Sequence, residues 1–292
     1  MTDKKIVLLA DIGLLVAALC WGGGFTAGDV AAECFPTFWI MALRYLGAAA
    51  VSLIAFHRAV RRSGWAELKG GLILGGLLFI GAPFQIIALK YTTPSKQAFL
   101  IASYVAIVPF LSWLVLKKRP AKKTFLTGLL SLIGIGLISL NGSLQMEFGD
   151  ILSLVFAVIY SFMIVMTGIC ARQANPLGIS FFQYLVTGVL SLAAAFFLEP
   201  FPAVFPAAGV GALLYLAIIN TAVAFTLQNV AQRYTSDTHA AVLVSTESVF
   251  GYFCGVFLNG DPFTPKVLIG GLIVFGSVLL SVVQFEKKKA AA

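Results

Sequence analysis

Residues 90–103, KYTTPSKQAFLIAS, have a second copy at residues 233–246, RYTSDTHAAVLVST. Tyr91, Thr92, Ala98 and Leu100 meet Tyr234, Thr235, Ala241 and Leu243, and at the same offset Gln85 and Ala88 meet Gln228 and Ala231. The match spreads both ways. GLLSLIGIGLIS (128–139) answers GGLIVFGSVLLS (270–281) after a one-residue change of offset. Asp11, Ile12, Leu15, Val16 and Ala18 align with Asp150, Ile151, Leu154, Val155 and Ala157, and Tyr45-Leu46 and Ser52-Leu53 align with Tyr184-Leu185 and Ser191-Leu192. Self-similarity at both ends and in the middle marks a duplicated chain, divided into residues 1–143 and 144–292.

The solvent of each copy follows from composition. Of 292 residues 60% are hydrophobic and 11% charged, and mean hydropathy is +0.97. Soluble domains run at about 45–50% apolar and about 25% charged, so lipid surrounds most of this chain. A bilayer core about 30 Å thick takes about 20 apolar residues per helix. Ten runs qualify: 6–27, 36–56, 70–89, 95–116, 124–141, 150–171, 177–198, 208–230, 238–258 and 265–285. Short loops leave no room for a soluble domain, and backbone in lipid must satisfy its own hydrogen bonds. The expected fold is an all-α integral membrane protein. Five spans per copy is an odd number, so the ten transmembrane helices form two inverted five-helix repeats.

Lys and Arg set the orientation. Sixteen of them, among them Lys4, Arg58, Lys117, Arg172, Arg233 and Lys287, fall on the side that holds both termini. Lys90, Lys96 and Lys266 fall on the other side, and Arg44 lies within a span. Both termini therefore face the cytoplasm, in a multi-pass protein of the cell inner (plasma) membrane. A cleavable signal sequence after Lys4 and Lys5 is the alternative for the first span. It is disfavoured because that span has a counterpart in the second copy.

Several function classes drop out. The basic residues sit in short clusters between apolar runs rather than on one face, which argues against nucleic acid. Cys20, Cys34, Cys170 and Cys254 are widely separated, and His57 and His239 are the two histidines, so no metal-ligand spacing, disulfide framework or cofactor motif is visible. The phosphate-binding pattern GxxxxGK[ST] is absent, so energy must come from a solute gradient, exchange or ion coupling. A membrane-embedded lipid-modifying enzyme would need a nucleophile–base pair or metal cluster that this inventory lacks. A structural membrane scaffold has no need of an inverted repeat, whereas a carrier uses one to build two states around a midplane site.

The stretches ALKYTTPSKQAFLIASYVAIVPFL (88–111) and LQNVAQRYTSDTHAAVLVSTESVFGYFCGVFLNGD (227–261), with Trp21-Gly22, resemble the EamA type of the drug/metabolite transporter superfamily. The resemblance covers essentially the whole chain. It implies a ten-helix secondary carrier of small polar organic metabolites, amino acids or related solutes, as an exporter or exchanger. Three positions depart from the family pattern. Glu247-Ser248 stands where Glu-Pro is usual, the acid after span nine is Asp261, and the first half carries Lys118-Arg119.

Two charges fall near the middle of a span, Arg44 and Glu247. A central charge costs about 2.5–3.5 kcal/mol on insertion scales and is tolerated toward a bundle interior. Arg44 would meet a substrate carboxylate, and Glu247 a substrate ammonium or a coupling proton. The competing reading pairs them only with each other or with backbone. Trp39, Tyr45, Tyr104, Tyr184 and Trp21 are candidate aromatic walls, and Gln85, Asn220 and Gln228 candidate neutral hydrogen-bonding groups. Tyr45/Tyr184 and Gln85/Gln228 recur at equivalent repeat positions. Asp11 and Asp150 read as helix-start residues favoured by the dipole. Import of a cationic or zwitterionic nutrient is the alternative direction, and the protein is a monomer or a homodimer.

Overall fold

The computed structural model describes residues 3–117, 126–130, 133–134, 137, 146–261 and 263–289. The described residues form helices, turns and coil, with no strand among them. The first half contains α1 (Asp3–Cys34), α2 (Thr37–Ala55), the short α3 (His57–Arg61), α4 (Trp65–Ala88), α5 (Pro94–Ile101) and α6 (Tyr104–Leu116). The second half contains α7 (Phe148–Gln173), α8 (Pro176–Leu198), α9 (Ala207–Tyr215), a π-helical segment (Leu216–Val223), α10 (Ala224–Ala231), α11 (Asp237–Val244), α12 (Glu247–Leu258) and α13 (Pro265–Lys289).

Among the described residues, eight helices or consecutive helix runs are long and apolar enough to cross a membrane. The expected fifth span, 124–141, lies largely outside the described residues. The expected third span lengthens toward its N-terminus, since α4 begins at Trp65 and contains Pro83 without breaking. Asp11 departs from its expected place: α1 starts at Asp3, which puts Asp11 two turns inside the helix. Asp150 does stand at a helix start, where its Oδ2 accepts from the Glu147 amide at 3.1 Å.

The repeated motif at 90–103 and 233–246 encodes a helix cap in each copy. Thr93 Oγ1 accepts from the Lys96 amide at the start of α5, and Ser236 Oγ from the His239 amide at the start of α11. A hydroxyl there satisfies one of the orphan amides of a first turn. Two carboxylates perform the same task between elements. Glu199, after α8, accepts from the Phe38 and Trp39 amides of α2 at 2.8 and 3.3 Å. Glu67 accepts from Gly64 at 2.8 Å and from Asn175, in the turn between α7 and α8, at 3.0 Å.

Packing runs across the halves. α8 lies against both α2 and α4; α4 also lies on α7. α1 lies on α9, α10 and α12, α6 on α7, and α5 on α12. Small residues set the closest approach. A methyl group on Gly75 of α4 would sit 2.7 Å from the Gln183 carbonyl and 2.9 Å from Val186 Cβ of α8, so only glycine lets these backbones meet.

Two irregularities shape the middle of the bundle. The expected continuous spans 95–116 and 238–258 each break, at Ala102–Ser103 and at Ser245–Thr246, which are equivalent repeat positions. At both breaks the amides turn to carbonyls three residues back: Ser103 to Leu100 and Val105 to Ala102, Thr246 to Leu243 and Ser248 to Ser245. In the second copy the side chains reinforce the break, since Ser245, Thr246 and Ser248 each donate a hydroxyl to the carbonyl three residues back at 2.7–2.8 Å. Hydroxyls that bond their own backbone compete with the regular ladder. The other irregularity is the π segment, a widening of the helix that is frequent at functional sites.

Candidate functional site

The breaks place side chains at mid-bundle. Tyr104 opens α6 and Glu247 opens α12, so both project from the start of a half-helix. A carboxylate there meets the positive end of the helix dipole. Glu247 is 4% exposed, and its Oε1 has no hydrogen-bond partner. Tyr104, its neighbour, is fully buried.

Glu247 lines a cavity of about 40 Å³ together with Arg44, Gln85, Gln97 and Asn220, and with the rings of Trp21, Phe25, Phe156, Tyr160 and Phe225. The cavity runs from these central residues toward the end of the bundle where α4 finishes, reaching Gly28 and Leu89. Tyr45, Tyr104 and Tyr184 are fully buried. A water needs about 10–15 Å³ of such space, and sites for drug-sized ligands measure about 300–1,000 Å³. The bundle is therefore contracted around its centre.

Arg44, on α2, is 5% exposed. Its Nε donates to Thr221 Oγ1 at 2.7 Å and its Nη2 to Asn220 Oδ1 at 2.5 Å. The π segment supplies both acceptors from adjacent positions. The guanidinium also lies 5.0 Å from the centre of the Tyr45 ring. Asn220 is held in turn, since its Nδ2 donates to the Cys20 carbonyl at 3.2 Å and its own carbonyl accepts from Trp21 Nε1 at 2.9 Å. Gly24 makes room for it: a methyl group there would run into the Asn220 amide. Arg44 and Glu247 thus face one cavity, and neither belongs to the ion pairs Lys96–Glu147, Lys96–Asp150, Arg172–Asp237 and His239–Asp11 found among the described residues.

The remaining residues expected from sequence separate into two groups. Tyr45 backs Arg44, Tyr104 packs edge-on against Tyr160 at 5.2 Å, and Gln228 accepts a long 3.4 Å bond from the Tyr160 hydroxyl. These three sit behind the lining. Trp39 and Tyr184 lie elsewhere: Trp39 packs against Phe196 and Phe201, with centroids 5.1 and 4.9 Å away, and Tyr184 exchanges a 2.9 Å hydrogen bond with Thr226. Sequence reasoning passed over Tyr160, Gln97 and Thr221. Tyr160 had a signal, because it stands at the repeat position of Trp21; the two rings meet edge to face at 6.1 Å. Gln97, fully buried, donates to the Gln85 carbonyl at 2.7 Å.

A bundle of apolar helices around a central cavity that holds a few polar and charged side chains is the architecture of a multi-pass membrane carrier. The chain belongs to the EamA-like transporter family, which it matches over residues 8–140 and 147–283. It is 31% identical over 273 residues to an uncharacterized transporter of Archaeoglobus fulgidus, an alignment that covers 94% of this chain and 85% of the relative. It is 24% identical over 292 residues to YwfM, an uncharacterized transporter of Bacillus subtilis, covering 96% of each chain. A solved crystal structure shares the fold at a TM-score of 0.76 and 19% identity, covering 97% of this chain and 98% of the other.

Proposed function

We propose that the chain is a secondary carrier of small polar organic metabolites, amino acids or related solutes, which it exports or exchanges by alternating access. The observation that carries this reading is the central cavity, where a buried carboxylate and a buried guanidinium face the same space among aromatic rings without pairing. A zwitterion brings one group for each: its ammonium meets Glu247 and the ring faces, its carboxylate meets Arg44. In the empty carrier a proton on Glu247 takes the place of the ammonium, which couples solute movement to proton movement.

Alternating access rests on ten spans arranged as two inverted repeats, residues 1–143 and 144–292. Packing supports that arrangement. α4 on α7 is answered by α1 on α9 and α10, and α6 on α7 by α1 on α12, as an exchange of halves requires. The Lys and Arg distribution supports both termini on the cytoplasmic side of the plasma membrane.

The test is counterflow in proteoliposomes loaded with single amino acids, comparing the native chain with Glu247→Gln. The native chain exchanges at least one of them and the variant loses exchange while remaining folded. Undiminished exchange by Glu247→Gln across the pH range removes Glu247 from the mechanism. A cationic substrate is the reading favoured if exchange is confined to solutes without a carboxylate and Arg44→Met leaves it intact; import of a cationic or zwitterionic nutrient is separated from export by comparing uptake and efflux in vesicles of one orientation.

A further inference from the structure

Two charged contacts tie the halves together at opposite ends of the bundle. At one end Lys96 Nζ of α5 lies 2.9 Å from Asp150 Oδ2 and 3.0 Å from Glu147 Oε2 at the start of α7. At the other, His239 Nε2 of α11 lies 3.0 Å from Asp11 Oδ1 of α1. Asp150 and Asp11 are equivalent positions of the two copies, and so are Lys96 and His239, by the same offsets that align their neighbouring residues. Exchanging the halves converts one contact into the other.

Each contact also sits on a half-helix that ends at a break. Lys96 and His239 are both the third residue of their half-helices, α5 and α11, and these are cut from α6 and α12 at Ala102–Ser103 and Ser245–Thr246. We propose that α5 and α11 are the two gates of the carrier, that each swings at its break, and that Lys96–Asp150 and His239–Asp11 are the latches that hold them shut. This rests on the carrier reading above. α6 stays on α7 and α12 stays on α1 while the half-helix beyond each break moves, so a gate opens without parting the whole bundle. With both latches made, the centre holds a space of about 40 Å³.

The neighbouring charges fit the same scheme. Arg172–Asp237, 3.0 Å, lies beside the His239 latch but joins α7 to α11 within one half. Because α7 does not belong to the gate, this pair is a second tether that α11 must stretch or release when it swings. Glu147 gives the Lys96 latch a second carboxylate. The latches are also chemically unlike: a lysine ion pair holds one gate, and a histidine–aspartate contact, which survives as a hydrogen bond when the ring is neutral, holds the other.

Reporter cysteines test the scheme without any solute. Leu14→Cys and Ser153→Cys lie one turn past Asp11 and Asp150 and are buried. Each is placed in a full-length chain with the four native cysteines replaced, reconstituted in nanodiscs, and its rate of reaction with a hydrophilic maleimide is measured. Lys96→Gln should raise the rate at Ser153→Cys several-fold and lower it at Leu14→Cys. Asp11→Ala should do the reverse, and Lys96→Arg should change neither. A rise at the local reporter with no fall at the distant one, or no change at either, overturns the latches. Because no transport is measured, such a failure leaves the counterflow result on Glu247 standing, and the converse holds.

Discussion

Arg44 is a cation with almost no exposure, so its acceptors should be energetically coupled to it. Two bonds carry the load, 2.7 Å to Thr221 and 2.5 Å to Asn220. A hydrogen bond to a charged group contributes about 1.5–3 kcal/mol in soluble proteins. Polar contacts between membrane helices average about 0.6 and reach about 1.7 kcal/mol. The Asn220 contact is short and charged, which places its coupling near the upper membrane value, about 1–2 kcal/mol. The assay is a double-mutant cycle in detergent: the native chain, Arg44→Met, Asn220→Leu and the double variant, each unfolded under one condition. Asn220→Leu keeps the shape of the side chain and strands the guanidinium; Arg44→Met strands the amide. The lost bond from Asn220 to the Cys20 carbonyl, 3.2 Å, is common to the single and double variants and cancels in the cycle. The double variant should cost about 1–2 kcal/mol less than the sum of the singles. Additivity within about 0.5 kcal/mol would refute the reasoning, since independent sites add to that tolerance.

Two further expectations concern backbone positions. Gly24→Ala places a methyl group against the Asn220 amide; overpacking of this kind costs about 1–3 kcal/mol and should displace Asn220 from Arg44, lowering both melting temperature and exchange. A variant with native values for both would show that the amide moves freely. Gly260 and Lys117 occupy equivalent repeat positions and both adopt left-handed backbone, with φ of 73° and 56°. That conformation costs a side-chain-bearing residue about 1–2 kcal/mol, so Gly260→Ala should lower thermal stability and Lys117→Gly raise it, as scanning calorimetry would register.

Most span positions and the two buried charges were legible in the sequence because each has a local cause. Apolar length marks a span, and a charge in a hydrophobic run has to face inward. The breaks at Ala102–Ser103 and Ser245–Thr246 carry neither Pro nor Gly, so nothing in hydropathy announces them. They come from three-residue turns, in the second copy with hydroxyls bonded to nearby carbonyls, a choice tertiary packing decides. The π segment, with Asn220 and Thr221 among apolar residues, hid for the same reason, and with it the pairing of Arg44 to Thr221. Trp39 illustrates the opposite failure: an aromatic near the end of a span reads as a wall residue, yet it packs on Phe196 and Phe201 beside the Glu199 cap. Tyr160 was recoverable from the repeat alone, as the aromatic partner of Trp21.

The central claim is that a solute binds between Glu247 and Arg44. Thermal unfolding of the purified chain against a panel of amino acids and their amine and carboxylate fragments tests it most directly, because a ligand that binds only the folded state raises stability by mass action. At least one zwitterion should raise the melting temperature of the native chain, neither of its fragments should match it, and Glu247→Gln and Arg44→Met should each abolish the shift. A shift of equal size in both variants would place binding elsewhere and contradict the account.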